Sequence, residues 1–178
     1  MRKKKWFHLL VECILCVLLV AFDQWTKYYA TIHLKNRVDI PIIRGVLELH
    51  YLENRGAAFG ILQDQNLFFL LIGIVAVFVC AYLLWKVPVK KKYVWMQLFV
   101  VFLCSGAIGN MIDRIRLQYV VDFIYITAVR FPVFNVADIY VTISSIGLVF
   151  LLLFVYKESD FAFIGFKAKR YRELEDQD

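Results

Sequence analysis

Six polar side chains stand among residues that belong in hydrocarbon. Asn110, Asp113, Arg114, Asp122, Asn135 and Asp138 all fall in the stretch GAIGNMIDRIRLQYVVDFIYITAVRFPVFNVADIY, residues 106–140. Two carboxylates held within a few ångströms of each other cannot both ionise cheaply. They share one proton, with one apparent pKa raised and the other lowered. Such a pair can hydrolyse an amide without a covalent intermediate: the ionised acid takes a proton from water while the protonated one donates to the scissile carbonyl oxygen. Asp122 and Asp138 are the candidate pair. Asp122 is hard to explain otherwise, because VVDFIYI surrounds it with apolar residues. Asn135 and Asp138 also suit the N-cap and first turn of a helix, so capping alone accounts for them equally well. Other nucleophiles are poorly supported: Ser105, Ser144 and Ser145 have no histidine nearby in sequence, and His8, His33 and His50 lie outside any motif. No His or Cys spacing near the cluster suits a metal.

Around this pair stand residues suited to support it. Asn110 and Arg114 are i,i+4 and share a helix face, where the arginine could hold a carboxylate or a lipid phosphate. Asp113 beside Arg114 reads as a pair at a helix end. Asp23 and Lys27 form a second i,i+4 pair, and Asn54-Arg55-Gly56 marks a turn.

The elements that must position these residues follow from composition. The chain has 178 residues, the size of one domain, and 61% of them are hydrophobic. The excess falls in four runs of about 20 residues, each long enough to cross about 30 Å of hydrocarbon. This predicts a single polytopic membrane domain over 1–178, with helices at about 6–30, 66–85, 93–112 and 136–156. The first run follows Arg2, Lys3, Lys4 and Lys5, as in a signal peptide, but no small-x-small cleavage site follows it. It ends instead in AFDQWTKYY, whose Trp25, Tyr28 and Tyr29 suit an interfacial belt. Glu12 is expected to snorkel to the inner surface. Connections span about 31–65 and 113–135. Within the first, alternation across VLELHYL predicts short strands or a hairpin on the membrane. A basic tail, 157–178, ends the chain.

The net charge of +6 comes from basic residues beside the apolar runs, not from any nucleic-acid motif, so no nucleic acid is expected as a partner. The N-terminus, the 86–92 loop and the tail are dense in Lys and Arg and are read as cytoplasmic; both long connections then face outward. Asp23 and Lys27, the 54–60 turn, the Asn110–Arg114 cluster, Asp122 and Asn135–Asp138 thereby converge at one membrane depth. Cys13, Cys16, Cys80 and Cys104 lie inside spans, lack metal spacing and read as small packing residues. In the tail, Phe161, Phe163 and Phe166 suggest binding to the membrane surface. On these residues alone, a small transporter or lipid-handling subunit with an Asp/Arg relay, or a scaffold, stays open beside the enzyme.

Five ordered motifs carry a resemblance: DQWTK at 23–27, ENRGAAFG at 53–60, GAIGNMIDR at 106–114, VVDFI at 120–124 and FNVADIY at 134–140. With four spans around them, the chain resembles the lipoprotein signal peptidases, the signal peptidase II family of bacterial membrane aspartic endopeptidases. The resemblance implies a membrane α-helical fold of four transmembrane helices with a small extracytoplasmic β cradle, made largely by residues 31–66. It implies cleavage of the signal peptide from diacylglyceryl-modified prolipoproteins, just before the lipidated cysteine. Asp122 and Asp138 would be the catalytic pair. Asn54, Gly56, Asn110, Asp113, Arg114, Asn135, Asp23 and Lys27 would bind substrate or support the site. The implied enzyme needs no metal or organic cofactor. It meets membrane lipids as a monomer in the bacterial cytoplasmic membrane, with its active site at the outer leaflet. Ser105 departs from the pattern, since many relatives carry glycine before GAIGN; this concerns helix packing more than chemistry.

Overall fold

The computed structural model describes residues 2–56 and 65–164. Positions 57–60 of the ENRGAAFG motif, Phe166 and the rest of the tail lie outside the described residues. Among the described residues, four helices are long and apolar enough to cross a bilayer. Helix α1 is Arg2–Leu34, α2 is Asn66–Lys86, α3 is Val94–Leu117 and α4 is Val136–Phe150, the last continued by a π-helical turn, Leu151–Val155. With a three-stranded antiparallel sheet, these form the expected four-helix membrane architecture with a small β element.

Helix α3 is the hub, packing against α1, α2 and α4. Protein covers 44% of its most apolar window, against 6% to 17% for the other three, whose large side chains face outward. Small residues permit this. A Cβ on Gly106 would lie 2.5 Å from the Ala137 carbonyl oxygen of α4, and one on Gly109 would lie 2.5 Å from Asp23 Oδ2 of α1. Without a hydrophobic drive inside lipid, helices associate where small residues let backbones approach. Ser105, fully buried between the glycines and Cys104, bonds its hydroxyl back to the Val101 carbonyl at 2.7 Å. Cys80 and Cys104 are buried with Val100, and Cys16 packs beside them, as small apolar residues would.

Two helices outrun their expected ends. Helix α1 continues past Ala30 to Leu34 because its last turn carries the sheet: Ala30, Leu34 and Phe123 pack with Leu49 and Tyr51. Helix α3 does not stop near Ile112. It reaches Leu117 and closes on Gln118 in the left-handed conformation, φ 68°. Asp113 and Arg114 are therefore inside the helix and not at its end. Their polarity does not stop it because protein, not lipid, meets them.

Strand β1, Ile40–Ile43, turns through Gly45 (φ 73°) into β2, Leu47–Asn54. The third strand, β3, is Val120–Ile126, in the segment expected to be a connection, and it pairs with β2 so that Leu52 faces Asp122 and Asn54 faces Val120. The other edge of β3 takes the returning chain: Phe134 N–H donates to the Ile124 carbonyl at 3.0 Å, and Ile124 N–H to the Phe134 carbonyl at 2.8 Å. Asn135 thus starts α4 right beside β3.

At the opposite end, Val87, Tyr93, Met96, Leu151 and Tyr156 form a separate core. Phe161 and Phe163 pack into it, and Asp160 pairs with Lys92 at 2.6 Å. These two phenylalanines, expected at a membrane surface, are half-buried against that core. Glu12 is half-buried, and its Oε2 is buried without a hydrogen-bond partner.

Candidate active site

Asp122 sits on β3 and is 1% exposed. Two amides hold its carboxylate: Asn54 Nδ2 donates to Oδ2 at 2.8 Å, and Asn135 Nδ2 to Oδ1 at 2.7 Å. Cross-strand pairing of β2 with β3 delivers Asn54. The β3–Phe134 bridge delivers Asn135. Asp122 lies outside the spans, and burial first, then the charge of Asp138, pushes its pKa up to about 7; the two amides and Lys27 oppose the rise.

Asp138 is in the first turn of α4. Asn135 and Asp138 form a capping box: Asp138 N–H donates to Asn135 Oδ1 at 3.0 Å, and Asn135 N–H to Asp138 Oδ2 at 3.1 Å. This satisfies donors that a helix start leaves unpaired. The other oxygen, Oδ1, accepts from Asn110 Nδ2 at 2.8 Å. Capping and site membership are therefore one arrangement, not alternatives. Asn135, fully buried, touches both acids, and its second donor reaches Asn110 Oδ1 at 3.1 Å.

Behind these amides lies an ion cluster. Lys27 Nζ donates to Asn110 Oδ1 at 2.9 Å and pairs with Asp23 at 2.9 Å and Asp113 at 3.0 Å. All three charged groups are at most 4% exposed. Because Asn110 Oδ1 must face the ammonium, its NH₂ must face Asp138. Asp23 Oδ1 also accepts from Ala137 N–H at 2.9 Å, and Asp113 Oδ2 from Val121 N–H at 3.2 Å. The cluster thus ties α1 and α3 to the residues that flank both acids.

Arg114 stands apart from this cluster. Its guanidinium lies 4.9 Å from the Phe69 ring centre and within reach of the charges of Asp138, Asp122 and Asp113. A cavity of about 450 Å³ opens here, with Asn54, Gly56, Arg114, Asp122 and Asp138 on its polar side. Gly56 N–H donates to Asn54 Oδ1 at 3.0 Å, which turns the Asn54 NH₂ towards Asp122. Phe131, Pro132, Phe134, Ile139 and Ile143 supply the apolar wall. A few convergent polar groups in an apolar cavity suit an apolar chain with one reacting amide.

All ten residues expected from sequence gather here, but in layers: Asn54, Gly56, Arg114, Asp122 and Asp138 line the cavity, the amides of Asn110 and Asn135 lie behind the two acids, and Asp23, Lys27 and Asp113 lie behind those amides. Sequence reasoning missed Gln24, whose Nε2 donates to Asp113 Oδ1 at 2.9 Å and the Gly109 carbonyl at 3.1 Å. An amide inside an apolar span was the signal. The apolar wall 131–134 was also missed, having no mark of its own.

Residues 15–155 match the family model described as signal peptidase (SPase) II. The chain is 43% identical over 145 residues to a lipoprotein signal peptidase of Streptococcus pyogenes serotype M1, covering 82% of this chain and 92% of that one. The corresponding protein of serotype M5 (strain Manfredo) is 42% identical over the same span. A solved bacterial membrane enzyme, determined by the in meso method at 2.3 Å, aligns with TM-score 0.70 and 33% identity, covering 83% of this chain and 92% of that one.

Proposed function

The chain belongs to the signal peptidase II family, and from that premise we propose that it is an aspartic endopeptidase acting on diacylglyceryl-modified prolipoproteins. It removes the signal peptide by cutting just before the lipidated cysteine. The observation that carries this reading is Asn135, which donates to the Asp122 carboxylate through its side chain and to the Asp138 carboxylate through its backbone N–H, where both acids line one cavity.

In this reading Asp122 keeps its proton near neutrality, being buried beside a second carboxylate, and donates it to the scissile carbonyl oxygen. Asp138 takes a proton from water, whose oxygen bonds to the carbonyl carbon. The tetrahedral diol then collapses: Asp138 passes its proton to the leaving nitrogen, a diol hydroxyl returns one to Asp122, and the C–N bond breaks. Arg114 stabilises negative charge on the acid pair, and the wall from Phe131 to Ile143 receives apolar side chains. No step requires a metal or organic cofactor. Lipid anchoring requires the site to sit at a membrane surface, since a diacylglyceryl group does not leave the bilayer. We place that surface at the outer leaflet of the bacterial cytoplasmic membrane, with both termini cytoplasmic and the chain acting as a monomer. An Asp/Arg relay for transport is not favoured, because the relatives are peptidases.

The test is cleavage of a synthetic diacylglyceryl-modified prolipoprotein by purified wild type, Asp122→Asn and Asp138→Asn, with folding checked by thermal melting. Each variant should melt cooperatively and lose roughly a thousandfold or more in rate. An inactive wild type on a validated substrate sinks the peptidase reading. Loss in only one variant sinks the shared-proton mechanism.

A further inference from the structure

At the other end of the bundle the first turn of α1 meets the last turn of α2 around a second cavity, of about 500 Å³. Lys4, Lys5 and Lys90 line it together with Trp6, Trp85 and Pro88, and no acidic residue does so among the described residues. Lys27 is about six turns further along α1, or about 33 Å at 1.5 Å per residue. The two cavities therefore face opposite membrane surfaces.

One of the three lysines is fixed in place. Lys5 Nζ donates to the Leu84 carbonyl at 2.9 Å and the Val87 carbonyl at 2.5 Å. These carbonyls belong to the end of α2, where a helix leaves acceptors unpaired, so the ammonium caps α2 from α1. An ammonium has three donors, and two are used here. Glu12, two turns along α1, interacts with the charge of Lys5 but does not line the cavity. Lys4 and Lys90 are exposed. Trp6 and Trp85 meet edge-on, with ring centres 5.5 Å apart, and each leaves 54% of its surface uncovered. Indoles hold the headgroup level of a bilayer, offering an N–H donor above and an apolar face below.

A topology signal explains why lysines are abundant at this surface. It does not explain a cavity between two helix ends that is walled by indoles and floored by an oriented ammonium. Three cations without a lining acid ask for an anion, and the two half-covered rings ask for hydrocarbon beside it. We infer that this cavity binds the phosphodiester headgroup of an anionic phospholipid from its own leaflet, with the acyl chains lying along Trp6 and Trp85. The lipid completes a joint between α1 and α2 that protein leaves partly open. This site is independent of the cleavage chemistry, so its test reads lipid binding and not activity.

Full-length protein in neutral detergent would be titrated with dioleoyl phosphatidylglycerol, dioleoyl phosphatidylcholine or inorganic phosphate. Retained lipid would be read by native mass spectrometry and stability by thermal melting. Wild type should retain one phosphatidylglycerol and melt several degrees higher with it, because a ligand that binds only the folded state stabilises it. Phosphatidylcholine and phosphate should do neither. Lys4→Gln/Lys90→Gln, which spares the cap made by Lys5, should weaken phosphatidylglycerol binding roughly 25-fold, about fivefold per lysine. Lys86→Gln/Lys91→Gln removes the same charge outside the cavity and should bind like wild type. Equal shifts with phosphatidylcholine, a shift with phosphate alone, or equal losses in the two double variants would each overturn the site.

Discussion

Two groups of acids lie side by side in this bundle, and they differ in what satisfies them. Asp23 and Asp113 flank the ammonium of Lys27, whose remaining donor goes to Asn110. Asp122 and Asp138 have only amides and backbone N–H groups as hydrogen-bond partners and open onto a cavity. The first group shares one fixed cation between two acids, uses all three of the ammonium's donors, and is shut off from solvent. The second has like charges facing each other and room beside them. Asp122 is as buried as Asp23 and Asp113, so burial alone does not make a carboxylate reactive. What separates them is a cation in direct contact: an acid paired to a fixed ammonium holds its charge, whereas an acid beside another acid, with Arg114 only at longer range, exchanges a proton more readily.

The sharpest way to break this comparison is to remove the cation. Lys27→Met leaves Asp23 and Asp113 buried and unmatched, which should cost about 3–5 kcal/mol and lower the melting temperature by about 10 °C. Asp122→Asn should show the opposite sign. The folded pKa of Asp122 lies above its unfolded value, so its contribution to stability is present below about pH 4 and is lost as pH rises through about 7. Near pH 8 the amide variant should therefore melt no lower than wild type. If both variants melt equally low, the two groups are not different in kind. Next comes Gly109→Ala, which pushes a methyl into the Asp23 carboxylate. It should destabilise by about 1–3 kcal/mol while activity per folded molecule falls less than tenfold. A complete loss of activity in a folded Gly109→Ala would show that the ion cluster does more than hold the site in place. The smallest effect is on pH dependence. Wild-type activity should fall as pH rises through about 7, where Asp122 gives up its proton. Asn54→Ala removes a donor that favours the ionised form, so the falling limb should move to higher pH. A shift to lower pH would contradict the role given to Asn54.

The spans were legible because hydropathy needs only the local sequence. So was the convergence of polar residues at one depth, because basic clusters fix which helix ends lie together. The strand at 120–126 was not. VVDFIYI is as apolar as a span, and its partner, 47–54, is some seventy residues away, so only tertiary pairing identifies it. The end of α3 was misjudged for a related reason. Polar residues normally mark where a helix leaves the membrane, but Asp113 meets Lys27, Gln24 and the Val121 N–H inside the protein. Asn135 and Asp138 could be read as a cap or as a site, and sequence offered no way to choose. The fold answers that a capping box can be built from the very groups that hold the second acid.

The pairing of β2 with β3 has a further consequence for how this molecule can fail. Side chains along a strand alternate between faces, so a slip of one residue carries every one of them to the opposite side. With Leu52 opposite Asp122 in the native register, such a slip would turn Asp122 away from Asn54, Asn135 and Asp138 together. Misfolding here is all or none: a chain with the wrong pairing holds no weakened site, only none. A working site therefore requires the native register of this sheet.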